Sequence, residues 1–171
     1  MNLPIFTAED PCLIGRVKDK FGAFSNMSAH SVHVDGVTWP RAEQLFQALR
    51  FAPDHEMRSI LLAETNPMRA KMTVKPRLNE VVIAPRSVQD IYNMRKIIAL
   101  KRAQHCNAVA VLLHNTMQRP IIEDCSRRPS ESGLFWGARY VGADKWEGHN
   151  MLGSLWMEER ENPLLWAEFK V

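Results

Sequence analysis

Apolar and polar residues alternate across residues 31–39 on both sides of Asp35-Gly36. That pattern predicts a β-hairpin closed by a two-residue Asp-Gly turn. Pro40 comes next, at a point where a helix loses little from a missing N–H. Over residues 41–51, Ala42, Leu45, Phe46 and Leu49 mark an apolar helix face. Glu43, Gln47 and Arg50 recur at i, i+4 and i+7 and share a second, polar stripe. Pro53 and Asp54 open a further helix to about Ala63. Asn66-Pro67 has the form of a cap followed by a first-turn proline and begins a short helix holding Met68, Lys71 and Met72. Residues 75–85 carry two prolines, Pro76 and Pro85, and read as loop plus a short extended segment.

Ser87 and Asp90 resemble a capping box. Behind them Val88, Ile91, Met94 and Ile98 predict a long helix reaching toward His105. Asn107 is placed to cap a short helix over residues 108–114. Residues 120–124 read as a buried strand ending in two acids, and 125–133 as a polar loop. Asn150 is placed to cap a last helix marked by Leu152, Leu155, Trp156 and Glu159. The expectation is a predominantly helical α+β fold with a small β component, in one domain over residues 1–171.

Composition narrows the function classes. The 46% apolar and 24% charged content is that of an ordinary globular chain. No apolar run approaches the ~20 residues that span a bilayer. Residues 1–6 lack the basic and apolar regions of a signal peptide, so a cytoplasmic location and no membrane partner are expected. Three widely spaced cysteines, Cys12, Cys106 and Cys125, argue against a disulfide framework. No zinc-like ligand cluster occurs, and His30 and His33 read as solvent or rim residues. Neither a metal nor another cofactor is expected. A net charge of +3 permits a phosphate-bearing partner without requiring one. No P-loop, dinucleotide fingerprint or serine elbow occurs.

Glycines and aromatics mixed with polar residues cluster in two distant stretches, 21–51 and 135–160. Together they suggest one ligand pocket built from both ends of the chain. Glu43 is its most suggestive residue. It is either part of a solvated Glu–Arg stripe or a carboxylate lining a cleft, able to act as general acid or base. Phe24-Ser25-Asn26 is either a turn or a loop presenting a ring, a hydroxyl and an amide. Glu123 and Asp124 end a strand, a common place for site residues and also for solvated acids. Trp136, Gly137 and Trp146 offer stacking surfaces or ordinary packing. Asn150 can cap and still present its amide. Arg69, Lys71, Lys75 and Arg77 form a basic run suited either to solvent or to a diphosphate.

In this order the motifs resemble the NADAR family, also described as YbiA-like. They are Phe21-Gly-x-Phe-Ser-Asn26, Asp35-Gly-x-x-Trp39-Pro-x-x-Glu43-x-x-x-Gln47-Ala48, Pro67-Met68 with Ala70-Lys71-Met72, Ile122-Glu-Asp124, Trp136-Gly137, and Gly148-x-Asn150-x-Leu-Gly153 leading to Met157-x-x-Arg160. The resemblance spans about residues 16–162. It implies cleavage of a bond between a ribose anomeric carbon and an amine nitrogen. One branch of the family acts on early riboflavin-pathway ribosylamines. Another removes ADP-ribose from the amino group of guanine, often as antitoxin to a DarT-type DNA ADP-ribosyltransferase.

Gln44, Arg50 and Gly133 stand where the YbiA branch commonly has His, Lys and Asp. Those departures and the 121–128 segment favour the ADP-ribose branch, with ADP-ribosylated guanine as the partner molecule. The implied catalytic set is Glu43 as main acid/base, Asp124 as second acid, and Lys71 as either phosphate contact or imine-forming amine. The implied substrate contacts are Lys20, Phe24, Ser25, Asn26, Trp39, Gln47, Arg50, Glu123, Trp136, Gly137, Trp146, Asn150 and Gly153. A non-catalytic ADP-ribose reader would use the same pocket.

Overall fold

The computed structural model describes residues 2–164. Strands β1 (Ile5–Thr7), β2 (Cys12–Ile14), β3 (Val32–Val34) and β4 (Val37–Trp39) come first. Helices α1 (Ala42–Ala48), α2 (Glu56–Ala63), α3 (Pro67–Val74) and α4 (Val88–Gln104) follow. The remainder is α5 (Val111–His114), β5 (Ile121–Glu123), α6 (Glu131–Trp136), β6 (Arg139–Gly142), β7 (Lys145–Glu147) and α7 (Met151–Glu161). This is the helix-rich α+β architecture with small sheets that the pattern predicts. The described chain groups into two compact units, one formed by the residues to Ser25 with Asn107–Pro163, the other by Asn26–Cys106.

In the Asn26–Cys106 unit, β3 and β4 pair antiparallel, with Val34 opposite Val37. Asp35 (φ 48°) and Gly36 (φ 76°) both take left-handed backbone, as the tightest hairpin turn requires. Helix α1 packs against α2, α3, α4 and β4. Its residues Ala42 to Ala48 are all buried. The polar stripe of α1 is therefore an interior feature and not a solvated one. Asn66 caps α3 as expected, its Oδ1 accepting from Met68 N at 2.9 Å and Arg69 N at 3.2 Å. Helix α2 starts later than expected, because His55 Nδ1 accepts from Met57 N at 3.1 Å and caps it there.

Helix α4 departs from its sequence pattern. Val88, expected in the core, is 86% exposed. The buried face instead begins at Asp90 and continues through Met94, Ile97, Ile98 and Lys101. Ser87 Oγ accepts from Asp90 N at 3.3 Å, but the Asp90 carboxylate turns inward and does not complete a capping box.

The other unit holds the sheets. Strands β1, β7 and β6 form an antiparallel sheet in that order, and β2 pairs parallel with β5. Ala8, Ile122, Ala138 and Trp146 form a buried cluster, with Phe6 and Leu13 against it. Strands β1, β2, β6 and β7 and helix α6 escape the sequence reading, and the expected cap at Asn107 fails. The β6–β7 hairpin turns at Ala143 (φ 50°) and Asp144 (φ 55°), without the glycine or asparagine that normally marks such a turn. Helix α6 lies partly in the expected loop, and Ser130 Oγ caps it by accepting from Gly133 N at 3.0 Å. Asn107 caps nothing; it sits inside a π-helical turn, Cys106–Ala110, that runs into α5.

Candidate active site

Four polar side chains of the Asn26–Cys106 unit form a buried relay. Glu43 opens it on the first turn of α1, and its backbone N–H donates to the Asn26 carbonyl at 3.0 Å. Glu43 Oε1 accepts from Gln47 Nε2 at 2.8 Å. Gln47 Oε1 accepts from Arg50 Nη1 at 2.9 Å. Arg50 Nε and Nη2 then donate to the two oxygens of Asp90 at 2.8 Å each. The exposures are 6% for Glu43, 3% for Gln47, 7% for Arg50 and 0% for Asp90, so the relay is screened from bulk solvent. The guanidinium also lies 4.5 Å from the centre of the Phe46 ring, a cation–π contact that a lysine would make less well.

Helical spacing puts Glu43 and Gln47 along one side of α1, and Arg50 follows in the turn past its end, where its N–H donates to Gln47 O at 3.4 Å. Arg50 cannot be buried alone, because an unpaired guanidinium in the interior is costly. Asp90 supplies the countercharge from α4. A phosphate contact by Arg50, expected from the sequence, meets a guanidinium whose Nε, Nη1 and Nη2 already donate within the protein.

Asn26 and Gln44 border this relay, and each carries an unsatisfied acceptor. Asn26 Nδ2 meets Met94 Sδ at 3.0 Å, while its Oδ1 is buried with no partner among the described residues. Gln44 Nε2 donates to the Glu64 carbonyl at 2.8 Å, and its Oε1 is likewise unpartnered. A buried amide oxygen with no donor costs stability unless a bound group satisfies it. Asn26 Oδ1 can accept from a hydroxyl or an amine.

A second polar cluster lies further along α4. Lys101 is fully buried and donates to Ser28 Oγ at 2.7 Å. His30 Nδ1 reaches the same hydroxyl at 3.0 Å, and the His105 ring stands 4.9 Å from that of His30. Burial depresses Lys101 to a pKa of about 7. Burial first, then Lys101 and His105, lowers His30 below the usual imidazole value.

The remaining candidates of this unit stand apart from the relay. Lys71 is exposed on α3. Trp39 is buried at the end of β4, paired with Val32. It is a hairpin residue, and its ring has little surface to offer a ligand.

In the other unit several of the expected contacts are engaged in packing. Phe24 is fully buried, its ring 4.7 Å from that of Trp156, and its carbonyl accepts from Trp156 Nε1 at 3.0 Å. No ring face is left for stacking on a base. Trp146 is 4% exposed, its ring packed within the sheet cluster. Ser25, also buried, ends a 3-10 turn over Gly22–Phe24. Lys20 is exposed, with its amine 5.3 Å from the Phe21 ring centre.

Glu123, Gly137, Asn150 and Gly153 converge around β5, and their contacts there are structural. Asn150 Oδ1 accepts from Glu123 N at 3.0 Å, and its Nδ2 donates to the Ile121 carbonyl at 2.8 Å. Both ends of the amide are thus engaged by the strand. Asn150 precedes α7 as expected, yet its side chain makes no capping bond. A Cβ on Gly153 would fall 2.1 Å from Ile121 O, and one on Gly137 would fall 2.2 Å from Glu123 O. Both glycines permit close backbone approach.

Asp124 is half-buried, and its Oδ1 accepts from Ser126 N at 2.9 Å in a local turn. Trp136 is 9% exposed and lies edge-on to Phe135 at 5.1 Å. Burial, with Glu123 and Asp124 adding to it, pushes the Cys125 thiol up, which disfavours a reactive thiolate. Among the described residues no group of three or more His, Cys, Asp or Glu side chains is placed to hold a metal ion.

The sequence reading misses Asp90 and Lys101. The only signal for Asp90 is indirect: an arginine in the turn past a helix buried all round demands an anion. Nothing local marks Lys101, since a lysine in a helix normally reaches solvent.

Comparison with known proteins places this chain. It is 34% identical over 143 residues to the N-glycosidase YbiA of Escherichia coli (strain K12), covering 84% of this chain and 82% of that protein. The N-glycosidase Npun_R5314 of Nostoc punctiforme is 28% identical over 151 residues, covering 85% and 88%. The chloroplastic riboflavin biosynthesis protein PYRR of Zea mays is 31% identical over 162 residues, matching 85% of this chain but 24% of that longer protein. The NMR structure of the Escherichia coli protein YbiA superposes with a TM-score of 0.62 at 30% identity, covering 91% of this chain and 86% of that one. The family model of the NADAR domain matches residues 13–163, and this chain therefore belongs to the NADAR domain family.

Proposed function

We propose that this protein is an N-glycosidase that hydrolyses a ribosylamine C1′–N bond, with Glu43 as its acid/base. The observation that carries the reading is the Glu43 carboxylate. It is buried, it is hydrogen-bonded through Oε1 to a neutral amide, and no described residue donates to its Oε2. Such a carboxylate can exchange a proton with a substrate without first breaking an ion pair. The family relatives named as N-glycosidases support the reaction class.

The reaction requires a proton on the departing nitrogen and a water oxygen on C1′. The C1′–N electron pair leaves with the amine. Positive charge developing at C1′ is shared with the ring oxygen, as in other glycoside hydrolyses. Glu43 can take the proton of the attacking water or give one to the amine, according to its charge on entry. The unpartnered Oδ1 of Asn26 accepts from a ribose hydroxyl or from the amine itself.

For the substrate we favour guanine-linked ADP-ribose, removed from DNA in opposition to a DarT-type toxin. The motif resemblance in residues 121–128 supports that branch. The second reading is a riboflavin-pathway ribosylaminopyrimidine, and the match to the maize riboflavin biosynthesis protein favours it.

One experiment separates them. The protein is incubated with an oligonucleotide carrying ADP-ribosylated guanine and, in parallel, with a ribosylaminopyrimidine 5′-phosphate, and products are read by mass. The expected result is released ADP-ribose, with kcat/KM well above that for the pyrimidine. Equal or faster cleavage of the pyrimidine, with no ADP-ribose released, would move the chain to the riboflavin reading. Binding of ADP-ribose without turnover of either would make it a reader. Glu43→Gln should melt like the parent and lose about 10²–10⁴-fold in turnover; retention of more than about a tenth of the activity removes Glu43 from the acid/base role.

A further inference from the structure

We infer that Asp90 is a positioning residue for Glu43, acting through Arg50 and Gln47: the relay holds Glu43 Oε1 as an acceptor and leaves Oε2 as the oxygen that exchanges a proton with the reacting groups. This rests on the acid/base reading of Glu43 given above.

The polarity of the relay follows from its chemistry. An arginine side chain has donors only and an ionised carboxylate has acceptors only. Asp90 takes Nε and Nη2 of Arg50, and also accepts from the backbone N–H of Arg86 at 2.7 Å, which holds the carboxylate in place. The two parallel bonds fix the plane and direction of the guanidinium. Its Nη1 then points at Gln47, and because it can only donate, the Gln47 group facing it is the carbonyl oxygen. A side-chain amide has one oxygen and one nitrogen, so the group facing Glu43 is the NH₂. Glu43 Oε1 must therefore accept. A proton on Oε1 would point a donor at a donor, so any proton that Glu43 carries sits on Oε2.

Proton exchange with the substrate is thus confined to Oε2. Oε2 is the oxygen left for the attacking water, whose proton it takes as the O–C1′ bond forms. The proton then passes to the departing nitrogen as the C1′–N bond breaks, which returns Glu43 to its starting charge. Without Arg50 and Asp90 the Gln47 amide could turn over, and Oε1 would face a carbonyl.

Asp90 lies on α4, distant in sequence from the signature motifs, and touches no reacting atom. Its removal should therefore depress kcat while leaving KM nearly unchanged. Asp90→Asn alone risks misfolding, because it strands a buried guanidinium. The informative variant is the pair Arg50→Met with Asp90→Leu, which removes both charges and keeps the volume. Whichever of the two substrates above the parent cleaves is the probe.

Expected for the pair is a melting temperature near the parent's, a kcat lowered about 100-fold as for a misplaced catalytic group, and KM within about twofold. Gln47→Ala should lose a similar factor, and combining it with the pair should add almost nothing, since all three changes interrupt one relay. A tenfold rise in KM with kcat unchanged would make Arg50 a substrate contact and overturn the inference. Multiplying losses in the combined variant, or a kcat within threefold of the parent, would also overturn it. Glu43→Gln is the control for the premise. If Glu43→Gln keeps its turnover, or the parent cleaves neither substrate, the acid/base reading falls and the inference with it. If Glu43→Gln is inactive and the pair is not impaired, only the inference is lost.

Discussion

Gly153→Ala tests whether the 150–153 segment is a packing device or a ligand contact. The new Cβ would lie 2.1 Å from Ile121 O and 2.6 Å from both amide atoms of Asn150. Ile121 O belongs to a paired strand and cannot swing aside as a flexible side chain would. Overpacking of this kind costs about 1–3 kcal/mol. Displacing the Asn150 amide also sacrifices its bonds to Glu123 N and Ile121 O, about 1 kcal/mol each. Against this, alanine is favoured over glycine in a helix by about 1 kcal/mol.

The net expectation is a loss of about 2–4 kcal/mol. That corresponds to a fall of about 4–16 °C in Tm for a chain of this size. Urea denaturation and thermal melts give both quantities. Ser154→Ala, an exposed change one residue along α7, serves as the control and should move stability by no more than about 0.5 kcal/mol. The fraction of Gly153→Ala that remains folded should keep the parent KM. A variant that melts within about 0.5 kcal/mol of the parent but binds substrate poorly would refute the packing account and return Gly153 to the ligand site.

Lys101→Met should change how stability depends on pH. Burial lowers the lysine to about 7, so between about pH 7 and the ordinary lysine value the unfolded chain binds more protons than the folded one. The parent therefore gains stability as pH rises through that window, and the variant lacks this gain. The stability of Lys101→Met relative to the parent should be greatest near pH 7 and fall toward pH 10; a difference that stays constant across paired melts would contradict the burial of a neutralised amine. Asn66→Ala should cost about 1 kcal/mol, because two N–H groups of α3 lose their acceptor, and an unchanged denaturation midpoint would refute that cap. Turnover should survive chelator treatment and gel filtration, since a carboxylate and water suffice for the proposed proton transfers. Loss on chelation with recovery on adding Mg²⁺ or Zn²⁺ would show that it does not.

Local sequence determined the elements whose signals are local. Asp35-Gly36 set the β3–β4 turn because that pair tolerates left-handed backbone, and Asn66-Pro67 set the start of α3 because a short amide can reach two orphan N–H groups. The Glu43–Gln47–Arg50 stripe was legible because helical periodicity needs no tertiary information. Its environment was not. Whether a polar stripe faces water or protein depends on what else packs there, and α2, α3, α4 and β4 surround α1.

Tertiary structure alone made Asp90 the end of the relay, buried the Lys101 amine, and turned Phe24, Trp146, Asn150 and Gly153 into packing groups. It also formed the Ala143-Asp144 hairpin, whose strand pairing holds Ala143 in a left-handed conformation that an alanine does not favour. A motif of glycine, aromatic and amide residues can signal close backbone approach as readily as ligand binding. Which of the two applies is settled by the atoms that sit within a few ångströms, and those come from elements far away in the sequence.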